Sequence, residues 1–248
     1  MNNLLLSVII PAYNEEDRIG STLGQIVSYL QSRNLNFELL VIDDGSQDQT
    51  STIVRQFSTR KNLQSQVHVN RYSRNRGKGY AVRHGMLLSK GDYALLTDAD
   101  LSTPIEEISK LEKEVIHGSA DIAFGSRDIE GSRIEVHQSW IRETGGKIFN
   151  RIMRLIVRLP FRDTQCGFKL FQMNHCKTIF QKQSIEGFGF DVEILYIARK
   201  WGMKIKEVPV VWKHQEGSQV HLPLDAITML WDLFKIKWAD WQDQYEHG

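Results

Sequence analysis

Residues 4–10, Leu-Leu-Leu-Ser-Val-Ile-Ile, form a continuous apolar run closed by Pro11, the pattern of a strand buried on both faces. Over residues 15–32 the apolar positions Ile19, Leu23, Ile26, Val27 and Leu30 fall on one helical face. The alternation then repeats, with strands expected over 37–42, 67–70, 93–96 and 121–124 and helices over 48–57, 80–88 and 106–116. Strands alternating with helices of about 10–15 residues predict a parallel sheet with right-handed crossovers. Ligands in such sheets bind beyond the carboxyl ends of the strands. Polar clusters begin where the apolar runs stop, at 11–15, 43–46 and 98–100. No repeat, low-complexity tract or linker divides the chain, so one α/β domain over 1–248 is expected, its mostly parallel sheet flanked by helices and followed by a C-terminal helical extension.

The 248 residues are 41% hydrophobic and 25% charged, with a formal net charge of +1, which argues against a general nucleic-acid binder. Cys166 and Cys176 sit in no metal-binding spacing and read as reduced thiols. The N-terminal apolar run is far short of the about 20 residues needed to cross a bilayer, so any membrane contact is expected to be peripheral.

Three polar clusters carry the chemistry. Thr97-Asp98-Ala99-Asp100 places two carboxylates two residues apart just past a strand, where they can share Mg²⁺ or Mn²⁺ with substrate phosphates. A bound cation there would neutralise a departing diphosphate. Ile42-Asp43-Asp44-Gly45-Ser46 fits a turn with a helix cap and equally a site accepting hydrogen bonds from a base or ribose. Pro11-Ala12-Tyr13-Asn14-Glu15 is a turn by composition, in which Tyr13 could stack on a base and Glu15 bond a nucleoside. A dehydrogenase fingerprint is missing, because the first strand runs into Pro-Ala-Tyr-Asn-Glu and not G-x-G-x-x-G.

These motifs resemble the family 2 glycosyltransferases of GT-A fold. Arg74-Asn75-Arg76-Gly77-Lys78-Gly79, Phe124-Gly125-Ser126-Arg127, the run 163–171 (DTQCGFKLF), 190–198 (FDVEILYIA) and Glu216-Gly217-Ser218 look like the dolichyl-phosphate glucosyltransferase branch, over about 6–237. The resemblance implies a nucleotide-sugar half near 1–125 and an acceptor and membrane-facing half near 126–248. It implies that Pro11, Tyr13, Glu15 and Asp44, with Asp43 nearby, hold the nucleoside. Lys78 would approach the nucleotide phosphates or base, Asp98, Ala99 and Asp100 would form the metal and diphosphate site, and Arg127 and Arg142 would grip phosphate. Planar guanidinium groups suit that task. The implied donor is UDP-glucose and the implied acceptor a polyprenyl phosphate; a hydroxyl acceptor or another donor such as GDP-mannose stays open.

A hydroxyl acceptor would need a base, and Asp163 and Asp191 are the acidic candidates. A phosphate monoester, with a second pKa of about 6, is already a nucleophile at neutral pH. Direct, inverting displacement is expected. Lys147, Arg151, Arg154 and Arg158 line one helical face beside Ile148, Ile152, Leu155, Ile156 and Leu159. Ile227, Leu230, Trp231, Phe234, Trp238 and Trp241 repeat at helical spacing with Lys235 and Lys237 between them. Both segments fit an ordinary packed helix as well as a membrane interface. The expected location is cytoplasmic, peripheral on the cytoplasmic face of a membrane.

Overall fold

The structure, a computed structural model, describes residues 5–136, 156–215 and 222–246, with side chains of the last stretch described from residue 228. The strands are β1 (Leu5–Ala12), β2 (Asn36–Asp43), β3 (Val67–Arg71), β4 (Tyr93–Leu96), β5 (Ile122–Ser126), β6 (Arg133–Val136), β7 (Lys169–Gln172), β8 (Ile205–Pro209) and β9 (Val211–Lys213). The helices are α1 (Ile19–Ser32), α2 (Thr50–Arg60), α3 (Lys78–Leu88), α4 (Ile108–Val115), α5 (Met173–Lys182), α6 (Phe190–Lys200) and α7 (Leu222–Trp241).

Seven strands form one sheet in the order β3-β2-β1-β4-β7-β5-β8, and β6 and β9 pair as a separate ribbon. Every pairing in the large sheet is parallel except those of β7, which runs antiparallel to both β4 and β5. The chain moves outward from β1 through β2 to β3 and then returns to place β4 on the other side of β1. The crevice between β1 and β4 is therefore the topological switch point, where such sheets bind ligands.

Alternation along each strand divides the core. Ile9, Leu40, Ile42, Leu96 and Phe124 face one side, and Val8, Ile10, Leu39, Val41 and Ala123 the other. Both faces are covered, which is why these strands read as unbroken apolar runs.

Three local features differ from the sequence pattern. The first helix begins at Ile19, not near 15, because the N–H groups of Asn14, Glu15 and Glu16 go to Ser46 Oγ (2.9 Å), Thr50 Oγ1 (2.8 Å) and Asp48 Oδ2 (3.0 Å). Asn14 also takes φ 53°, outside the helical region. Pro11, expected to close the first strand, lies inside it and pairs with Ile42. The third helix begins at Lys78, two residues early, so that Lys78 stands on its first turn.

The last helix separates its two apolar stripes. Met229, Leu233, Ile236 and Ala239 are buried, whereas Trp231 (65% exposed), Phe234 (59%), Trp238 (58%) and Trp241 (73%) face outward. No helix among the described residues is long and apolar enough to cross a membrane. Of the basic stripe at 147–158, Lys147, Arg151 and Arg154 lie outside the described residues; Arg158 is exposed.

Gly85 shows how tightly α3 sits on the sheet. A Cβ there would lie 2.4 Å from Ile9 Cγ2 and 2.9 Å from Ile42 Cγ1. Replacing a mid-helix glycine with alanine ordinarily stabilises by about 0.5–1 kcal/mol. Here overpacking dominates, and Gly85→Ala is expected to lower unfolding free energy by about 1–3 kcal/mol in urea titration. A more stable variant would show that α3 can lift from β1 without loss.

Candidate active site

The loops after β1, β2 and β3 are tied to one another before any ligand is considered. Gln47 and Gln49 return N–H bonds to Asn14 Oδ1 (2.8 Å) and Glu16 Oε2 (2.9 Å), which closes the first loop onto the second. Asp43 is fully buried; one oxygen accepts the Ser46 N–H (2.8 Å) and the other accepts the Ser51 hydroxyl. Asp44 accepts the N–H groups of Arg76 (2.7 Å) and Gly77 (2.8 Å), joining the second loop to the third. Both aspartates thus build the rim of the crevice from inside. Tyr13 stands half-buried at the start of the first loop, just past buried Pro11.

Asp98 and Asp100 follow β4 on the opposite side of the crevice. The Asp100 carboxylate accepts the Ser102 N–H (2.8 Å), and the Ala99 carbonyl accepts the Thr22 hydroxyl (2.6 Å), which anchors this turn to α1. Burial, and then the charge of Asp98, push the Asp100 carboxyl above its usual range. Lys78 answers part of that charge, its Nζ lying 2.6 Å from Asp98 Oδ1.

Glu15 belongs to the same cluster. Burial pushes its carboxyl up to about 7; bonded Arg18 pulls it down, and Asp100 and Asp98 push it further up. Gly167, from the DTQCGFKLF run, presses its backbone against Asp98: a Cβ there would lie 2.1 Å from Oδ2. Among the described residues, no three His, Cys, Asp or Glu side chains form a complete metal cage. Two carboxylates two residues apart, the ionised form of Asp100 disfavoured by Asp98, are nevertheless of the kind that could hold a hard divalent cation together with substrate phosphates.

The second half of the chain brings cations. Arg127, just after β5, gives its N–H (2.9 Å) and Nε (2.7 Å) to Asp163 Oδ2 and its Nη2 (2.8 Å) to Oδ1. Burial alone would raise the Asp163 carboxyl; the Arg127 guanidinium overrides it and holds it below the usual range. Asp163 therefore positions Arg127, and Trp212 covers the guanidinium, its ring centroid 5.5 Å from Cζ. The ribbon carrying Trp212 is pinned beside the Asp98–Ser102 turn by Lys213 N–H to the Ser102 carbonyl (2.8 Å).

Asp191, in the first turn of α6, is buried and paired with Lys169. Burial raises its carboxyl, against the pull of Lys169 and Lys78. Arg142 lies outside the described residues.

Lys169, Gly167 and Trp212 have no individual role in the sequence reading. Lys169 is fully buried, and its register opposite Leu96 and Phe124 sets it at the carboxyl end of β4 and the middle of β5. A lysine inside the apolar stretch Gly-Phe-Lys-Leu-Phe was its one available signal, because a buried ammonium demands a partner.

A carboxyl raised in the folded protein keeps its proton where the unfolded chain has lost it. The stability contribution of Glu15 is therefore complete below 4.5 and is lost as pH rises through about 7. Glu15→Gln, which cannot ionise, should gain thermal stability relative to the unsubstituted protein as pH is raised from about 5 to about 8. A Tm difference that stays constant over that range would show that Glu15 titrates normally.

Residues 7–180 match the model of the family described as Glycosyl transferase family 2. The chain is 34% identical over 247 residues to a dolichyl-phosphate beta-glucosyltransferase of Dictyostelium discoideum, covering 96% of this chain and 75% of that protein. It is 36% identical over 225 residues to the protein of that name from Homo sapiens, covering 87% and 69%. Among solved structures, glucosyl-3-phosphoglycerate synthase from Mycobacterium tuberculosis, in complex with Mn²⁺, UDP-glucose and phosphoglyceric acid, superposes with a TM-score of 0.69 at 17% identity, over 94% of this chain and 79% of that one. That likeness is one of fold, and the fold is GT-A. With strand-end carboxylates at the switch point of a GT-A sheet and relatives of this identity over nearly its whole length, the chain belongs to glycosyl transferase family 2.

Proposed function

We propose that this enzyme transfers glucose from UDP-glucose to the phosphate of a dolichyl-type polyprenyl lipid, with inversion and with a divalent cation, Mg²⁺ or Mn²⁺, held by Asp98 and Asp100. The observation that carries the reading is the ion pair of Lys78 with Asp98 of that turn, with Arg127, held by Asp163, close enough to feel the Asp98 charge. The names of the relatives supply the acceptor class and the sugar.

When bound, the cation supplies charge stabilisation for the departing diphosphate. Lys78 adds an ammonium on the same side, and Glu15, Tyr13 and the rim built by Asp43 and Asp44 receive the nucleoside. Arg127, its orientation set by Asp163 and Trp212, orients the acceptor phosphate; Arg142 is assigned to the same task. An oxygen of that phosphate forms its bond to the anomeric carbon as the bond from that carbon to the diphosphate breaks on the opposite face. An α-linked donor gives a β-linked product, and the anionic phosphate needs no base. A hydroxyl acceptor is the second reading, favoured by the raised carboxyl of Asp191. Under that reading Asp191→Asn abolishes transfer while UDP affinity is kept.

The enzyme is further proposed to sit peripherally on a membrane, on the cytoplasmic face, where its two free thiols, Cys166 and Cys176, suit a reducing compartment. Trp231, Phe234, Trp238 and Trp241 provide an outward aromatic face on α7, with Lys235 and Lys237 beside it to meet anionic headgroups.

Incubation with dolichyl phosphate and UDP-glucose, read by mass spectrometry, should yield a β-linked glucosyl lipid phosphate whose formation stops with EDTA. Asp100→Asn should reduce the rate by about a hundredfold or more. No lipid product from any nucleotide sugar would remove the proposal, and product formed equally in EDTA would remove the metal. Separately, replacing Trp231, Trp238 and Trp241 together with serine should release the protein from sedimenting phosphatidylserine vesicles. Unchanged sedimentation would sink the assignment of α7.

A further inference from the structure

Lys78 stands on a backbone packed closely against the 185–187 segment. A Cβ on Gly77 would lie 2.5 Å from the Glu186 carbonyl oxygen, and one on Gly79 would lie 2.5 Å from the Ile185 carbonyl oxygen. Gly77 holds φ 106° and gives its N–H to Asp44. The four-carbon side chain is thus the part of this position with freedom to adjust.

That side chain is spent on Asp98, at 2.6 Å, the carboxylate whose other duty is to meet a cation. The neighbouring cations are committed elsewhere. Lys169 is bonded to Asp191 and the Cys166 carbonyl, and Arg127 is bonded bidentately to Asp163. Among the described residues, Lys78 is the cation in ion-pair contact with the Asp98 and Asp100 pair.

We infer that Lys78 is an internal counter-cation, holding Asp98 until a divalent ion and the donor diphosphate enter together and the diphosphate takes the ammonium over. This rests on the reading of Asp98 and Asp100 as the metal pair. It adds a share for Lys78 in the linkage between metal and donor that a cation shared with the diphosphate already implies. A metal ion arriving alone must displace an ammonium that has nowhere better to go. A nucleoside diphosphate arriving alone meets carboxylates and a lysine already engaged. Arriving together, each relieves what opposes the other, so metal and donor bind with positive linkage, equal in both directions.

The experiment measures Mn²⁺ binding through the paramagnetic resonance signal of the free ion, and UDP binding by calorimetry, each alone and in the presence of the other. Lys78→Met keeps the apolar stem and removes the charge. It should bind Mn²⁺ alone about tenfold more tightly than the unsubstituted protein and UDP alone about tenfold more weakly, with the tightening of Mn²⁺ by UDP reduced accordingly. Lys78→Arg, which keeps the charge, should leave the affinity for Mn²⁺ alone near its original value, and a thermal melt of both variants checks that they fold.

Mn²⁺ binding by Lys78→Met that is no tighter than the original would overturn the inference. So would a tightening of equal size with and without UDP, because a charge acting at a distance does not depend on where the ammonium sits. If the unsubstituted protein binds no Mn²⁺ even with UDP, the metal pair itself is misassigned and the inference falls with it. That outcome is distinguishable from the other two because it precedes any substitution.

Discussion

Negative charge gathered at the β1–β4 crevice is the constraint to which the rest of the site answers. Burial pushes the carboxyls of Glu15, Asp100 and Asp191 toward the neutral form, and the nearby charge of Asp98 pushes each of them further the same way. They are met by cations from separate parts of the fold: Lys78 from the first turn of α3 and Lys169 from the antiparallel strand β7, with Arg127 and its partner Asp163 alongside. Removing one partner of a buried pair such as Lys169–Asp191 typically costs about 3–5 kcal/mol, because the other charge is left uncompensated. The antiparallel insertion of β7 between β4 and β5 is thus an electrostatic requirement as well as a topological one. It is what delivers Lys169 to the carboxyl end of β4.

The same charge pattern explains where glycine is needed. Gly167 brings backbone against the Asp98 carboxylate, and Gly77 and Gly79 bring the start of α3 against the segment 184–189. That segment is held in turn by Glu193, which accepts the N–H groups of Ser184 and Ile185 and the Tyr245 hydroxyl. Asp232 of α7 closes on it from outside, 2.7 Å from where a Gly189 Cβ would stand. The helix with the outward aromatic face and the turn that carries Lys78 therefore share one support. The outward aromatic face of α7 and the β1–β4 crevice are both tied to the 184–189 segment.

The strands β1, β2, β4 and β5 and the use of their carboxyl ends as the ligand side were legible in the sequence, because strands covered on both faces leave unbroken apolar runs and the polar clusters begin where those runs end; that β1 and β4 are the strands flanking the crevice came only from the strand order. Strand β7 was not legible, since Lys169 interrupts its apolar pattern and its direction depends on pairing with two strands distant in the chain. Nor could spacing alone say which stripe of α7 faces solvent. Met229, Leu233 and Ile236 on one side and Trp231, Phe234 and Trp238 on the other are both apolar at helical intervals.

The sequence by itself determined which chemical groups stand at the strand ends: the paired carboxylates at Asp98 and Asp100, the acidic turn at Asp43 and Asp44, and the arginine at 127. Local patterning suffices for that, because strand and turn are set by neighbouring residues. Only the tertiary structure decided how those groups are used. It turned Asp43 inward, locked Asp163 onto Arg127 and set Lys78 on Asp98. Those outcomes depend on contacts between residues tens of positions apart, where burial and competing charge, and not residue type, settle whether a carboxylate supports the site or faces a ligand.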